Sequence, residues 1–189
     1  MEKLSLVLLV LGIALISYGP VSEMLSSEPL GGCTCDGIEQ MVAWAEGKEA
    51  CVYKDSLGYK TIGIGFNMER SGARSVFSGC GADFDACYSG SKCLSDSQIS
   101  CLFQYDLKWA KKGAANCIDS YSAHKTCVQN VLIDMTFNMG ESSLCSWNNF
   151  KNQLRAKDYQ AAASNMKSSL WCSQVGRRCT RNVDIVKSC

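Results

Sequence analysis

The sequence predicts an α+β fold, with a small β-hairpin lobe beside a larger, mostly α-helical lobe and disulfides holding both. Three observations predict it. Apolar residues recur at helical spacing along most of the chain beyond residue 94. Two short β-prone runs joined by a glycine turn lie between residues 51 and 65. All thirteen cysteines fall between Cys33 and Cys189.

The balance of the 189 residues, 47% hydrophobic and 20% charged, suits one compact domain, since disorder needs fewer apolar residues and more net charge. A chain of this size buries about 70% of its unfolded surface, enough for a real core. The formal net charge of +1 offers no global attraction for nucleic acid or for an anionic membrane, so neither is expected as a partner.

The chain opens with Lys3 ahead of an apolar run from Leu4 to Ile16. Such a run is too short to span a bilayer, which takes about 20 residues, and it suits the core of a signal peptide. Residues 1–22 are therefore expected to be a leader, cleaved somewhere between Gly19 and Glu28, with residues 23–189 forming a single domain. The cysteine density belongs to an oxidising compartment, where each native bridge is worth about 2–4 kcal/mol. A zinc site is disfavoured, because there is no C-x-x-C pair and His124 is the only histidine. The odd count leaves at least one thiol free or bonded to another chain, and the pairing stays open. Secretion is expected, with an endolysosomal lumen as the alternative.

Each element has its own signal. In "CTCDGIEQMVAWAEG", Ile38, Met41, Val42 and Ala45 form one helix face. Asp36 is the expected N-cap, and Gly47 the expected left-handed residue that ends the helix. "CVYKD" and "YKTIGIG", joined by "SLG", read as a hairpin. Residues 67–93, rich in Gly, Ser and Cys without a clean period, are expected to be a disulfide-tied loop region. Ser95 or Asp96 caps a helix whose inner face carries Ile99, Leu102, Phe103 and Leu107. "KTCVQNVLIDMTFNMG" is a strongly apolar helix ending near Gly140, and residues 148–171 hold one or two more. No proline after residue 29 interrupts any of them.

Chemistry concentrates in "AWAEGKEACVYKDSLGYKTIGIGF". Glu46 sits in the last helical turn, at the negative end of the helix dipole, where the charged carboxylate is disfavoured. That suits an acid that must deliver a proton. Asp55 on the first hairpin strand and Thr61 on the second can face that helix end across a cleft, and the neighbouring glycines let a bulky ligand approach the backbone. An acid on one side, with a carboxylate and a hydroxyl holding water on the other, is what inverting glycoside hydrolysis needs. Taken alone, two acids nine positions apart are more often solvated surface residues.

The whole string "EG…YKDSLGYKTIGIG" closely resembles the signature of phage-type lysozymes, glycoside hydrolase family 24. The helix-ending Glu-Gly, the Tyr-x-Asp, the turn glycine and the Thr-Ile-Gly-x-Gly all fall at the family's spacing. "LSDSQISCLFQYDL" is similar to the start of the family's helix between lobes, "DMTFNMGESSLCSWNNF" to its buried central helix, and "YQAAASNMKSSLW" with "GRRCTR" to its penultimate segment. The likeness covers residues 38–66 and 94–184.

The resemblance implies a lysozyme-like fold and a muramidase acting on the β-1,4 bond between N-acetylmuramic acid and N-acetylglucosamine, most often with inversion. It implies Glu46 as general acid, Asp55 as charge stabiliser or water orienter, and Thr61 as water positioner. Arg178 would pair with the acid and Arg181 would shape the cleft, while Asn138 and Asn165 fall at polar cleft positions. No metal or cofactor is implied. The expected partner is bacterial peptidoglycan and the expected state a monomer, in antibacterial defence or bacterial digestion. Phe66 departs from the family, standing where many members have a histidine that pairs with an acid at the position of Asp106. That pair is expected to be missing, with disulfides making good the stability. Cys172 takes a place often held by an aromatic.

Other features read more plainly. His124 lies in polar "YSAHKTC" without a nucleophile motif. "TIGIGFNM" lacks the third glycine and the helix of a dinucleotide loop. Trp44, Trp109, Trp147 and Trp171 are read as core rather than sugar platforms. "KWAKK", residues 108–112, and Arg177 read as solvated helix faces. The rival functions are a wall-binding protein without turnover, a cysteine-rich toxin that touches no sugar, and a chitinase.

Overall fold

The computed structural model describes residues 33–189, so the expected leader, residues 1–22, lies outside the described residues. Helix α1 (Ile38–Glu46) leads into a three-stranded antiparallel sheet, β1 (Glu49–Lys54), β2 (Lys60–Gly63) and β3 (Phe66–Asn67), in the order β1-β2-β3. Two short helices come next, α2 (Ala73–Gly79) and α3 (Phe84–Ser89), and then the long α4 (Asp96–Cys117). A 3-10 turn (Tyr121–Ala123) precedes α5 (Thr126–Met139), α6 (Glu141–Cys145), α7 (Asn148–Arg155), α8 (Tyr159–Lys167), α9 (Leu170–Val175) and α10 (Arg177–Ser188). This is the α+β arrangement, a small sheet lobe beside a larger helical lobe, that the sequence pattern predicts.

The two lobes have separate cores that one helix joins. In the small lobe Ile62, Phe66, Met68 and Phe77 pack with Ile99 and Leu102. In the helical lobe Val42, Val128, Leu132, Met135, Phe150 and Val186 pack with Phe103 and Leu107. The first turns of α4 therefore serve one core and its later turns the other. Its start is fixed by a reciprocal capping box: Ser95 accepts from the Gln98 amide while the Gln98 side chain accepts from the Ser95 amide.

Residues 67–93 are not a loop region. They form β3, α2 and α3, and the aromatics Phe66, Phe77, Phe84 and Tyr88 run edge-to-face and then stacked through them. Helices of six and seven residues are too short to show a period in the sequence, so their aromatic contacts rather than a hydrophobic stripe define them. Asp36 is not the cap of α1 either. Gly37 holds that position without a side-chain bond, and the Asp36 carbonyl accepts instead from Asn130 Nδ2 at 3.2 Å. Gly47 ends α1 at φ 76° as expected, but its ψ of −177° turns the chain straight into β1 rather than into a left-handed helical cap.

Six disulfides use twelve cysteines. Cys33–Cys189 and Cys35–Cys127 anchor the segment before α1 to the C-terminus and to α5. Cys51–Cys93 and Cys80–Cys101 tie the small lobe to itself and to α4, Cys117–Cys145 joins α4 to α6, and Cys172–Cys179 joins α9 to α10. Cys172 is thus a tether where the family often places an aromatic. The thirteenth cysteine, Cys87, is free and 1% exposed. Burial first, and Asp83 second, push its thiol up, so little reactive thiolate is available. The native protein should therefore take up no maleimide, and one equivalent in denaturant without reductant, as read by intact mass. Two or more equivalents would show that the pairing is different.

Candidate active site

Glu46 is the last residue of α1, and the turn between β2 and β3 makes room for its carboxylate. Gly65 lies there at φ 70°, and a Cβ on it would come 2.8 Å from Glu46 Oε2. Any other residue at this position would strain the backbone and press the Glu46 carboxylate aside. Gly65 is therefore favoured first by its positive φ and second by the side chain opposite it.

On its inner side Glu46 meets α10. Arg178 Nη1 donates to Glu46 Oε1 at 2.5 Å, with side-chain exposures of 6% and 20%. The same guanidinium is held from behind by Asp134 of α5, which is fully buried. Arg178 Nε donates to Oδ2 at 3.0 Å and Nη2 to Oδ1 at 2.9 Å, a bidentate pair. Asn182 Nδ2 adds a bond to Asp134 Oδ2 at 2.7 Å, and Arg181 approaches it at 3.1 Å. Burial works against the Arg178 cation, but Asp134 and then Glu46 more than offset it, and the guanidinium is held more firmly charged than usual. Arg181 shifts the other way, through burial first, with Asp134 opposing. Its remaining donors go to the Met41 carbonyl, at 2.8 Å, and to Asn182. Arg181 thus braces Asp134, Asn182 and the middle of α1.

Asp55 and Thr61 form the second cluster. Leu57 and Tyr59 amides donate to Asp55 Oδ1 at 2.9 and 3.0 Å, an arrangement that locks the carboxylate over the hairpin turn. Its other oxygen, Oδ2, accepts from Thr61 Oγ1 at 3.2 Å. Thr61 is buried on β2 and pairs across the sheet with Asn67. Tyr53 links the two clusters: burial raises its phenol first, and the negative charges of Glu46 and Asp55 raise it further.

A cleft of about 530 Å³ lies beyond Gly65, with Gly65 and Asn67 at the sheet side and Asn138 and Glu141 also in its lining. Glu46, Asp55 and Thr61 do not line it themselves and meet it only through Gly65, which touches Glu46, and Asn67, which pairs with Thr61. Asn138 is exposed there, and its Oδ1 accepts from Trp171 Nε1 at 2.8 Å. Asn165 is not part of this lining. It opens onto a separate depression of about 550 Å³ beside Trp147, Asn148 and Ser169.

Asp106, on the cleft-facing side of α4, does have a partner. Arg70 Nη2 donates to its Oδ1 at 2.5 Å, and the Arg70 guanidinium lies 4.0 Å from the centroid of the Phe66 ring. The pair with residue 66 is absent, as Phe66 dictates, but Asp106 is not left unpaired: the phenyl ring serves as a platform for Arg70, four residues further along the chain. His124 is buried far along the helical lobe, between Ser120 Oγ at 2.8 Å and the Tyr159 hydroxyl at 3.0 Å. Burial and Lys157 lower its pKa, so it is a neutral core histidine. Among the described residues one trio of metal-type donors lies together, Cys117, Glu141 and Cys145, but its two sulfurs are joined to each other. No helix among the described residues is long and apolar enough to cross a membrane.

The mostly helical fold with its small antiparallel sheet, and a carboxylate at the end of α1 beside the hairpin, fit a glycoside hydrolase of the lysozyme class. The family model for phage lysozyme matches residues 43–182, and the chain belongs to that family. It is also 27% identical over 163 residues to "Probable T4-type lysozyme 1" of Dictyostelium discoideum, covering 80% of this chain and 94% of that protein. "Probable T4-type lysozyme 2" of the same organism is 26% identical over the same lengths.

Several residues of the site went unread in the sequence. Asp134 had a signal: a lone acid inside "NVLIDMTF" must be buried, and a buried charge needs a partner. Tyr53 was visible only as part of a motif, and Arg70 had no signal in sequence.

Asp106 carries a pH prediction. Burial raises its carboxyl above the ordinary range, and Arg70 opposes the shift. The folded protein thus holds this proton more tightly than the unfolded chain does. The contribution favours folding below about pH 4 and becomes a cost as pH rises through the raised value. Arg70→Ala should enlarge that cost, lowering stability at pH 7 by roughly 1–3 kcal/mol, less than for a fully buried pair. In urea melts the deficit should shrink toward pH 4. A deficit that does not change with pH would mean that Arg70 serves only by packing on Phe66.

Proposed function

We propose that the chain is a secreted muramidase that hydrolyses the β-1,4 bond between N-acetylmuramic acid and N-acetylglucosamine in bacterial peptidoglycan, with inversion. The leader expected at residues 1–22 and the six disulfides support secretion. Its biological role would be antibacterial defence or the digestion of bacteria, as a monomer. The names of the Dictyostelium relatives support the substrate class.

The observation that carries the reading is the division of labour between the two carboxylates. Glu46 is 20% exposed, lies against Gly65 and is aimed by a single donor from Arg178. It acts as the general acid and gives its proton to the glycosidic oxygen. Asp55 has one oxygen saturated by backbone amides and the other shared with Thr61. That second oxygen, with the Thr61 hydroxyl, holds a water on the opposite face of the sugar and takes its proton as it attacks C1. Asn138, and Asn165 in its separate depression, would offer amides to the glycan or its stem peptide, with Arg181 acting through Asp134, which also holds Arg178.

Glu46→Gln keeps the size of the side chain and removes the transferable proton. It should reduce clearing of a bacterial wall suspension by about 10²–10⁴-fold while binding to walls persists. Mass analysis of the wild-type digest should show new reducing muramic acid ends. Equal clearing by wild type and variant would remove Glu46 from the mechanism, and a digest without such ends would favour wall binding without turnover.

A further inference from the structure

The tryptophans do not all belong to the core. Trp147 and Trp171 pack edge-to-face in the helical lobe, but Trp109 is 54% exposed. Tyr105, one helical turn earlier on α4, is 41% exposed, and the two rings lie 6.3 Å apart, centroid to centroid. Residues four apart share a helix face. Both rings line the cleft that begins at Gly65, the glycine whose missing side chain makes room for Glu46. Lys112 Nζ lies 5.4 Å from the centroid of the Trp109 ring.

A large aromatic surface left in water is costly unless something covers it. Here the surface is continuous with the cleft, not isolated on the back of the helix. Its neighbours are hydrogen-bonding groups: Asn67 and Asn138 amides, the Asp106–Arg70 pair and Lys112. Flat rings edged by amides and charges match a pyranose, which has an apolar face of C–H groups and a rim of hydroxyls. They match a purely apolar partner poorly.

We propose that Tyr105 and Trp109 form a sugar-stacking subsite of the cleft that takes a glycan unit beyond the pair flanking the scissile bond. The inference rests on the muramidase reading for its ligand. The platform selects for length: a long strand reaches α4 while its scissile bond lies between Glu46 and Asp55, and a short one does not. Lys112 supplies a donor at the outer edge for a sugar hydroxyl or carboxylate.

The test uses the Glu46→Gln protein, so that strands stay intact, with peptide-free glycan strands of long and short length as probes. Adding Trp109→Ala should weaken binding of long strands about five- to tenfold, and Trp109→Phe should restore most of it. With Glu46 present, the advantage of long over short strands in kcat/KM should fall by a similar factor. Unchanged affinity for long strands in Trp109→Ala would overturn the subsite. Equal losses on long and short strands would place Trp109 elsewhere in binding and also overturn it. If wild type released no reducing ends, the muramidase reading would fail, and the binding comparison would still decide whether the platform holds sugar.

Discussion

The structure depends on a buried carboxylate that cannot stand alone. Asp134 sits in an apolar helix with no solvent exposure, and its charge is matched by Arg178, Arg181 and Asn182. A buried pair of this kind contributes little net stability, but breaking it is expensive because the surviving charge has no water. The consequence is geometric. Arg178 cannot swing away from Asp134, so its remaining nitrogen points at one place, and Glu46 occupies that place. Asp134 carries one negative charge against two arginines, so Glu46 meets a guanidinium that is not wholly balanced, and the ion pair fixes where its carboxylate lies.

The opposite wall is built by different means. Asp55 is held by turn amides and Thr61, elements local to the hairpin, so its position is set by the turn itself. The two halves of the site thus belong to separate folding problems, one solved by packing α1, α5 and α10 together and one by a tight turn. Helix α4 brings them into register, because its early residues are part of the small-lobe core and its later residues part of the other. Along the same helix Asp106 meets Arg70 across the cleft, and Tyr105 and Trp109 face into it.

Much of this is legible in the sequence, and the reasons for what is not are physical. The periodicity of α4 and α5, the capping box at Ser95 and the hairpin glycines are local signals. Glu46, Asp55 and Thr61 stand in one contiguous motif. Helices α2 and α3 escape detection because a helix of two turns or fewer has no measurable stripe. The disulfide pairing depends on which elements become neighbours, information that spacing does not carry. The Asp106 pair is expected to be absent when reasoning by position allows only Phe66 to supply the partner. An arginine laid over that ring from four residues later fills the role instead. Trp109 reads as core only if its helix face is ignored, and Lys112, three residues on, already marks that face as wet.

The central claim is that Asp134 fixes Arg178 and that Arg178 thereby aims Glu46. A double-mutant cycle with Asp134→Leu and Arg178→Met, read by both unfolding free energy and wall clearing, tests it most directly. Each single change should cost about 3–5 kcal/mol, and the double should cost clearly less than their sum. The double variant, folded but without its aiming donor, should still clear walls at least about tenfold more slowly than wild type. Additive losses, or a double variant that clears walls at the wild-type rate, would contradict the account.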